Sequence, residues 1–294
     1  MATFVISSLL HLRQGQPTFV LFADIKGAYD SLWKGGFLTK VYAAGLRGKL
    51  WKLLRSMVSS YPTRLKARGQ LSELLLITVG LAQGSPLSGF IFTAFLDDLA
   101  ALIEDEGVGV EFMDIMLAGI FMMDDLTLFC TSVSMLRRTL DLLTAYAETW
   151  RLDFAPPPKT RVLIYKSDCK VKYWKLGDMF IPTVHCSKLL GVTFADDLSW
   201  KAHVADKCDI AKGKFHALRT NGLVGGDLSL NAATLFVTAI IWPSLQYGRA
   251  STSIFMPPHQ AERGLLYSTQ LNFGCATLGI SRRAAAEGVF GELG

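Results

Sequence analysis

Two adjacent carboxylates between two apolar runs constrain this chain more than any other stretch: Ala118-Gly-Ile-Phe-Met-Met-Asp-Asp-Leu-Thr-Leu-Phe-Cys130. Apolar runs of about four to eight residues bounded by polar ones suit buried strands. Here they predict a hairpin of two buried strands with Asp124 and Asp125 near its tip. Carboxylates held together repel, so their proton affinity rises unless a cation neutralises them. Magnesium suits that role, because it takes oxygen ligands and binds through one or two carboxylates together with substrate phosphates. A plain surface turn would also accommodate two aspartates. Asp97-Asp98 and Asp196-Asp197 repeat the dipeptide, so the upstream segments have to decide.

With 294 residues, half of them hydrophobic and 11% aromatic, the chain has material for one or two domains with a sizeable core. No uninterrupted apolar run reaches the roughly 18 residues of a membrane span, so no membrane partner is expected. Met1 to Leu10 is apolar but lacks a basic leader and reads as a helix, not a signal peptide. The five cysteines are scattered without a Cys-x-x-Cys pair, which argues against a structural zinc site or a disulfide framework. An intracellular location, nucleus or cytoplasm, is the expectation. Charge is unevenly placed. Residues 1–158 carry 14 Lys/Arg against 15 Asp/Glu, residues 159–219 carry 12 against 6, and residues 220–294 balance at 4 each. A basic segment of this kind fits a polyanion, as well as a merely solvated face.

Along the chain, residues 3–12 read as a helix, and Phe19 to Ala23 as a buried strand ending at Asp24, where a carboxylate could hold a metal at a sheet edge. Tyr29 and Asp30 open the next turn or helix, with Asp30 as its cap. Phe37 to Tyr61 has helical spacing divided at Gly45 and Gly48. Thr63 to Arg68 and Leu74 to Val79 suggest a hairpin with an exposed basic edge. In Gly80-Leu-Ala-Gln-Gly-Ser-Pro-Leu-Ser88, Ser85 is a good N-cap and Pro86 a good first residue for a helix running to about Glu106. Gly84 would let a ligand approach the backbone, and the helix N-terminus favours phosphate. Asp97-Asp98 lies within that helix and reads as solvent-exposed. Ser134 to Trp150 is an amphipathic helix, Pro156 to Pro158 a break, Lys159 to Tyr165 a strand, and Lys188 to Phe194 a strand containing Gly191. Beyond Trp200 the chain reads as helical, with an apolar stretch from Leu235 to Ile241.

These pieces in this order resemble a reverse transcriptase, specifically that of non-LTR (LINE-like) retrotransposons. Phe22 to Asp30 resembles the first palm motif, Gly80 to Ser88 the Gln-Gly-x-Pro-Leu-Ser motif, and Met122-Met-Asp-Asp125 stands where the family has Tyr-Ala-Asp-Asp. Trp150 to Leu163 resembles the next motif, with Lys159 at its lysine. Lys188 to Phe194, with Leu198-Ser-Trp200, resembles the primer-grip segment, and Trp242 to Gly248 the region after the thumb. Phe194-Ala-Asp-Asp197 spells the catalytic tetrapeptide more closely. It is followed by Leu-Ser-Trp instead of an apolar strand, and it comes after segments that should follow the catalytic hairpin.

The resemblance implies an α+β right-hand palm with partial fingers over residues 1–195 and a helical thumb and C-terminal region over 196–294. It implies RNA-directed DNA polymerisation with two Mg2+ ions (Mn2+ also possible) on Asp24, Asp124 and Asp125. Lys159 would assist the leaving group, and Tyr29 would screen against ribonucleotides. Gln83, Gly84, Ser85 and Pro86 would lie at the template base and incoming deoxynucleoside triphosphate. Lys188, Gly191, Lys201, Lys207, Lys212, Lys214 and Arg219 would follow the RNA template and DNA primer. Met122 departs from the family's aromatic, and the chain begins just before the first motif, so most of the fingers are expected to be missing. No endonuclease, RNase H or Cys/His knuckle is seen. The alternative function is an inactive, truncated remnant that binds nucleic acid or serves as a protein scaffold.

Overall fold

The computed structural model describes residues 2–12, 15–59, 61–82, 84–112, 114–225, 228–249, 260–281, 283 and 285–293. The chain forms two compact units, residues 16–184 and residues 185–294 with 1–15. The opening helix α1 (Ala2–Leu12) thus belongs with the C-terminal part of the chain.

In the first unit, β1 (Thr18–Asp24) leads into α2 (Ala28–Ser31), α3 (Lys34–Ala43) and α4 (Gly48–Val58). Gly45 and Gly48, at φ 101° and 65°, divide α3 from α4 as their spacing predicts. The expected hairpin is a two-level one. The strand β2 (Tyr61–Thr63) pairs with β5 (Leu75–Ile77), and between them β3 (Lys66–Ala67) folds back on β4 (Gln70–Leu71). Then come α5 (Pro86–Asp105), the short pair β6 (Val110–Phe112) and β7 (Ile115–Leu117), and the carboxylate hairpin β8 (Gly119–Met122) and β9 (Asp125–Cys130). The unit closes with α6 (Val133–Trp150), β10 (Arg161–Tyr165), β11 (Tyr173–Leu176) and β12 (Met179–Val184).

Six of these strands form one sheet in the order β11-β12-β10-β1-β9-β8, with β10 and β12 parallel and the other pairs antiparallel. At its centre, β1 is buried at every position. Alternation along a strand sends successive side chains to opposite faces. Phe19, Leu21 and Ala23 therefore share a face with their register partners Cys130, Leu128 and Leu126. That face belongs to the main core with Phe92, Phe95 and Leu99 of α5 and Leu136, Leu140 and Leu143 of α6. Asp24, one residue beyond Ala23, falls on the other face.

Two acids sit differently from the sequence-based expectation. Asp30 does not cap α2: Gly27, in the left-handed region at φ 57°, occupies the cap, and Asp30 lies in the first turn, where a negative charge suits the helix dipole. Asp98 is not simply solvated. Lys40, buried beneath it, donates to Asp98 Oδ1 and to the Phe95 carbonyl, each at 2.6 Å, and the Tyr146 hydroxyl also donates to Asp98 at 2.6 Å. The ammonium lies 4.0–4.5 Å from the ring centres of Phe95, Tyr146 and Trp150. A lysine can be buried only with such partners.

In the second unit, Lys188 to Phe194 is a hairpin, not a single strand. The strand β13 (Cys186–Leu189) pairs with β14 (Val192–Ala195) across Leu190 and Gly191, at φ 47° and 77°. Two positive φ values are what a tight hairpin connection requires. The helices α7 (Lys201–Thr220) and α8 (Leu230–Phe236) follow. The expected helix through Leu235 to Ile241 changes to a π-turn at Val237–Ile241 before α9 (Trp242–Gln246). Two further helices, Gln260–Leu278 and Ala286–Leu293, complete the unit, with Phe273 stacked on Phe215 of α7 at 4.5 Å.

Candidate active site

The β8–β9 hairpin turns at Met123 and Asp124, with Met122 opposite Asp125 and Met123 at φ 56°. On its other side β9 pairs with β1, and the register sets Asp24 directly opposite Asp125. Directly paired residues share a face, so these two carboxylates project together beside the turn that carries Asp124. The Ile25 amide donates to the Asp124 carbonyl at 3.1 Å, and the Ala155 amide to the Asp24 carbonyl at 2.7 Å. The backbone therefore ties the three acidic positions to one sheet end.

Lys159 Nζ reaches Asp24 Oδ2 at 2.9 Å, from an exposed side chain to a largely buried one. The hydrogen bond to Asp24, and then its charge, raise the Lys159 pKa above its ordinary value. Asp125 is raised above the usual carboxylate range by burial first, then by the charges of Asp124 and Asp24, against the pull of Lys159 and Arg161. This is the electrostatic mark of a site short of positive charge. Two contributors were not anticipated from sequence. Thr160 is buried and its Oγ1 accepts a long bond from the Asp24 amide at 3.4 Å. Arg161 places its guanidinium 5.1 Å from the Phe22 ring centre, and burial lowers its pKa. Both follow Lys159 directly, which was the only hint available.

Among the described residues no three His, Cys, Asp or Glu side chains form a ready-made metal cage. The donor chemistry nevertheless fits magnesium, whose shell is completed by water and substrate phosphates and needs only one or two carboxylates.

Tyr29, in α2, packs its ring against Phe92 at 5.8 Å and donates its hydroxyl to Met123 Sδ at 3.0 Å. It thereby bridges α5 and the hairpin turn. Ser85 sits at the cap position of α5 with Pro86 as the first helical residue, but the Ser85 side chain makes no capping bond. Instead the Ser88 hydroxyl donates to the Ala82 carbonyl at 2.7 Å. Gly84 takes φ 83°. Gln83 lies outside the described residues.

The basic candidates of the second unit are dispersed. Lys188 pairs with Asp206 at 3.0 Å, Lys212 with Asp209 at 2.9 Å, and Lys214 donates to Ser244 at 2.6 Å. Lys201 and Arg219 are exposed on α7. Lys207 is buried, with its ammonium 4.7 Å from the Tyr247 ring centre and 3.7 Å from Asp206, so it does not face solvent as a phosphate contact would require. Gly191 serves its turn, and a Cβ there would come within 2.8 Å of the Tyr247 ring. The competing Asp196-Asp197 pair serves local structure: Asp196 Oδ2 meets His185 Nδ1 at 2.7 Å, and Asp197 accepts the Ser199 amide at 2.8 Å.

A helix-backed, largely antiparallel sheet presenting carboxylates at a hairpin tip is the layout of a polymerase palm. Residues 4–194 match the family described as reverse transcriptase (RNA-dependent DNA polymerase), and the chain belongs to that family. The RNA-directed DNA polymerase from mobile element jockey of Drosophila melanogaster is 24% identical over 235 residues, which cover 77% of this chain and 25% of that protein. The retrovirus-related Pol polyprotein from type-1 retrotransposable element R2 of Popillia japonica is 27% identical over 100 residues, 34% of this chain and 16% of that protein. The structure of telomerase from Candida tropicalis in complex with a fragment of telomeric RNA covers 99% of this chain and 51% of its own, at 12% identity and a TM-score of 0.48. The chain spans a quarter or less of the length of these two mobile-element relatives. Among the described residues no helix is long and apolar enough to cross a membrane.

Proposed function

We propose that this chain carries the RNA-directed DNA polymerase centre of a non-LTR retroelement, transferring deoxynucleotides to a DNA primer on an RNA template. The observation that carries the reading is the register pairing of Asp24 with Asp125, one residue from Asp124, at one end of the sheet. Asp24, Asp124 and Asp125 would hold the divalent ions. When bound, such ions lower the pKa of an attacking hydroxyl and stabilise charge on phosphoryl oxygens. The protein's own contribution is positioning and electrostatics, as in phosphoryl transfer generally.

Asp24 and Asp125 would supply the negative charge that holds the ions, and Lys159, 2.9 Å from Asp24, orients that carboxylate. The Lys159 ammonium would also screen the leaving phosphates, and its raised pKa keeps it charged. Tyr29, braced between Phe92 and Met123, stands where the sugar of the incoming nucleotide is screened. The uncapped N-terminus of α5 and the Gly84 backbone offer amide donors to the nucleotide. The exposed lysines of α7 follow the primer–template backbone, and the two units serve as palm and thumb.

Primer extension on an RNA template with deoxynucleotides and Mg2+ or Mn2+, compared with Asp124→Asn, tests the reading. Extension by the wild type that disappears in the variant is expected. Extension that persists in Asp124→Asn would refute the site assignment. No extension by folded protein that still binds primer–template would leave only the nucleic-acid-binding remnant.

A further inference from the structure

The segment from Gly45 to Gly80 carries an unused charge. It holds seven Lys/Arg residues against one acid, Glu73. Four of the basic residues sit on or beside α4, namely Arg47, Lys49, Lys52 and Arg55, and three on the small ladder, Arg64, Lys66 and Arg68. All seven are exposed. Among the described residues none of them forms an ion pair with a carboxylate.

Two of the guanidiniums are held ready by aromatic rings. Arg47 lies 3.5 Å over the Tyr42 ring and Arg55 5.4 Å over that of Trp51, and the two rings meet edge to face at 5.6 Å. A guanidinium stacked on a ring keeps its in-plane N–H groups free for an anion and loses little entropy on binding one. Lys49, Lys52 and Arg55 recur at three-residue intervals and so form a stripe along α4. Arg64 and Lys66 lie two residues apart at the start of the β3–β4 pair, and Arg68 is in its turn at φ 49°. A surface with so many unpaired cations is the footprint of a phosphodiester backbone.

We infer that α4 and the β3–β4 hairpin form a nucleic-acid docking surface that grips the phosphate backbone without reading sequence. It is additional to the carboxylate site and to the basic residues of α7. The ligand is the phosphodiester chain itself, RNA or DNA. The exposed Leu50, Leu53 and Met57 of α4 would alternatively suit an anionic lipid surface. The stacked arginines favour nucleic acid, because a ring-stacked guanidinium presents planar, directional donors that match phosphate oxygens.

The test is fluorescence anisotropy with the whole chain and a labelled single-stranded RNA, and with DNA of matching sequence. Titrations run across salt in EDTA without nucleotide, so a failure of catalysis leaves the outcome intact. The variant is Lys49→Gln/Lys52→Gln/Arg64→Gln/Lys66→Gln/Arg68→Gln, which spares both stacked arginines. Single strands lose about 0.7 in the log-affinity against log-salt slope per phosphate contact. The slope should therefore fall by about 3.5, and affinity at low salt by more than tenfold. The RNA and DNA arms show which backbone is held more tightly. Lys166→Gln/Lys170→Gln/Lys172→Gln/Lys175→Gln, with four changes on another exposed lysine group, is the control for net charge. An unchanged slope, or an equal loss in the control, overturns the proposal. So does loss of binding to phosphatidylserine vesicles with RNA affinity intact. If the fivefold variant does not fold, Lys49→Gln/Lys52→Gln alone should lower the slope by about 1.4.

Discussion

Gly80 and Gly84 offer a controlled pair for measuring how tightly the loop before α5 is locked to the Tyr29 segment. Both have left-handed backbones, at φ 77° and 83°. An alanine at either position pays roughly 1–2 kcal/mol for that conformation. Their surroundings differ. A Cβ on Gly80 would come within 2.5 Å of the Asp30 carbonyl oxygen and 2.8 Å of that of Tyr29, whereas nothing lies within 4 Å of one on Gly84. The obstruction is backbone and cannot swing aside: the Leu81 amide donates to the Tyr29 carbonyl at 2.5 Å and the Gly80 amide to the Leu32 carbonyl at 3.1 Å. Forcing atoms into packed surroundings costs about 1–3 kcal/mol more. Gly80→Ala should thus destabilise by about 3 kcal/mol and Gly84→Ala by about 1 kcal/mol. Urea unfolding of the two variants, with unchanged slope, measures the difference. Equal losses would show that the Gly80 contact does not lock the loop, and the reasoning would fail.

Two pH dependences follow from buried bases. Burial lowers the Lys40 pKa to about 8, outweighing the attraction of Asp98. Above that pH, and up to the ordinary 10.5, the unfolded chain holds the extra proton, so stability rises with pH, by up to about 3 kcal/mol. The urea midpoint should rise from pH 7.5 to pH 8.5 and stay flat in Lys40→Met. The range stops short of pH 9, where the Cys130 thiol, pushed up by burial to about 11, begins to favour the unfolded state, as the Tyr146 phenol, held protonated by burial and Asp98, does at higher pH. His203 follows the same charge logic at lower pH. It is buried, accepts the Thr193 amide on Nδ1 at 3.2 Å and meets the Tyr247 carbonyl through Nε2 at 3.0 Å, and burial holds its pKa below 6.5. Its neutral form is the folded form, so stability is full above pH 6.5 and falls as pH drops toward the folded pKa. Thermal unfolding at pH 7.5 and pH 5.5 should show the loss, and His203→Gln should remove most of the dependence.

The site was legible in the sequence where local chemistry determines structure. Buried strands read as apolar runs, so β1 and β9 were visible. The turn at Met123–Asp124 followed from their lengths, and Ser85-Pro86 marked the start of α5 within a residue. The register that sets Asp24 opposite Asp125 was not visible, because pairing between strands a hundred residues apart leaves no local pattern. For the same reason neither the Lys159–Asp24 ion pair nor the Tyr29–Met123 bond left any signal.

Charge was misread wherever it was averaged or judged by residue type. Counting 14 cations against 15 anions over residues 1–158 concealed a segment of seven against one, because acids elsewhere in that stretch cancelled it. Asp98 looked solvated because aspartates in helices usually are, yet a lysine from α3 and a tyrosine from α6 converge on it. Lys207 looked like a phosphate contact because it lies in a basic segment, yet α7 turns it inward onto Tyr247. In each case the helical period, which decides the direction of a side chain, carries more information than its charge. The same period puts Lys49, Lys52 and Arg55 on one stripe of α4, with no acid of that helix to answer them, and a surface so composed retains its full attraction for a polyanion.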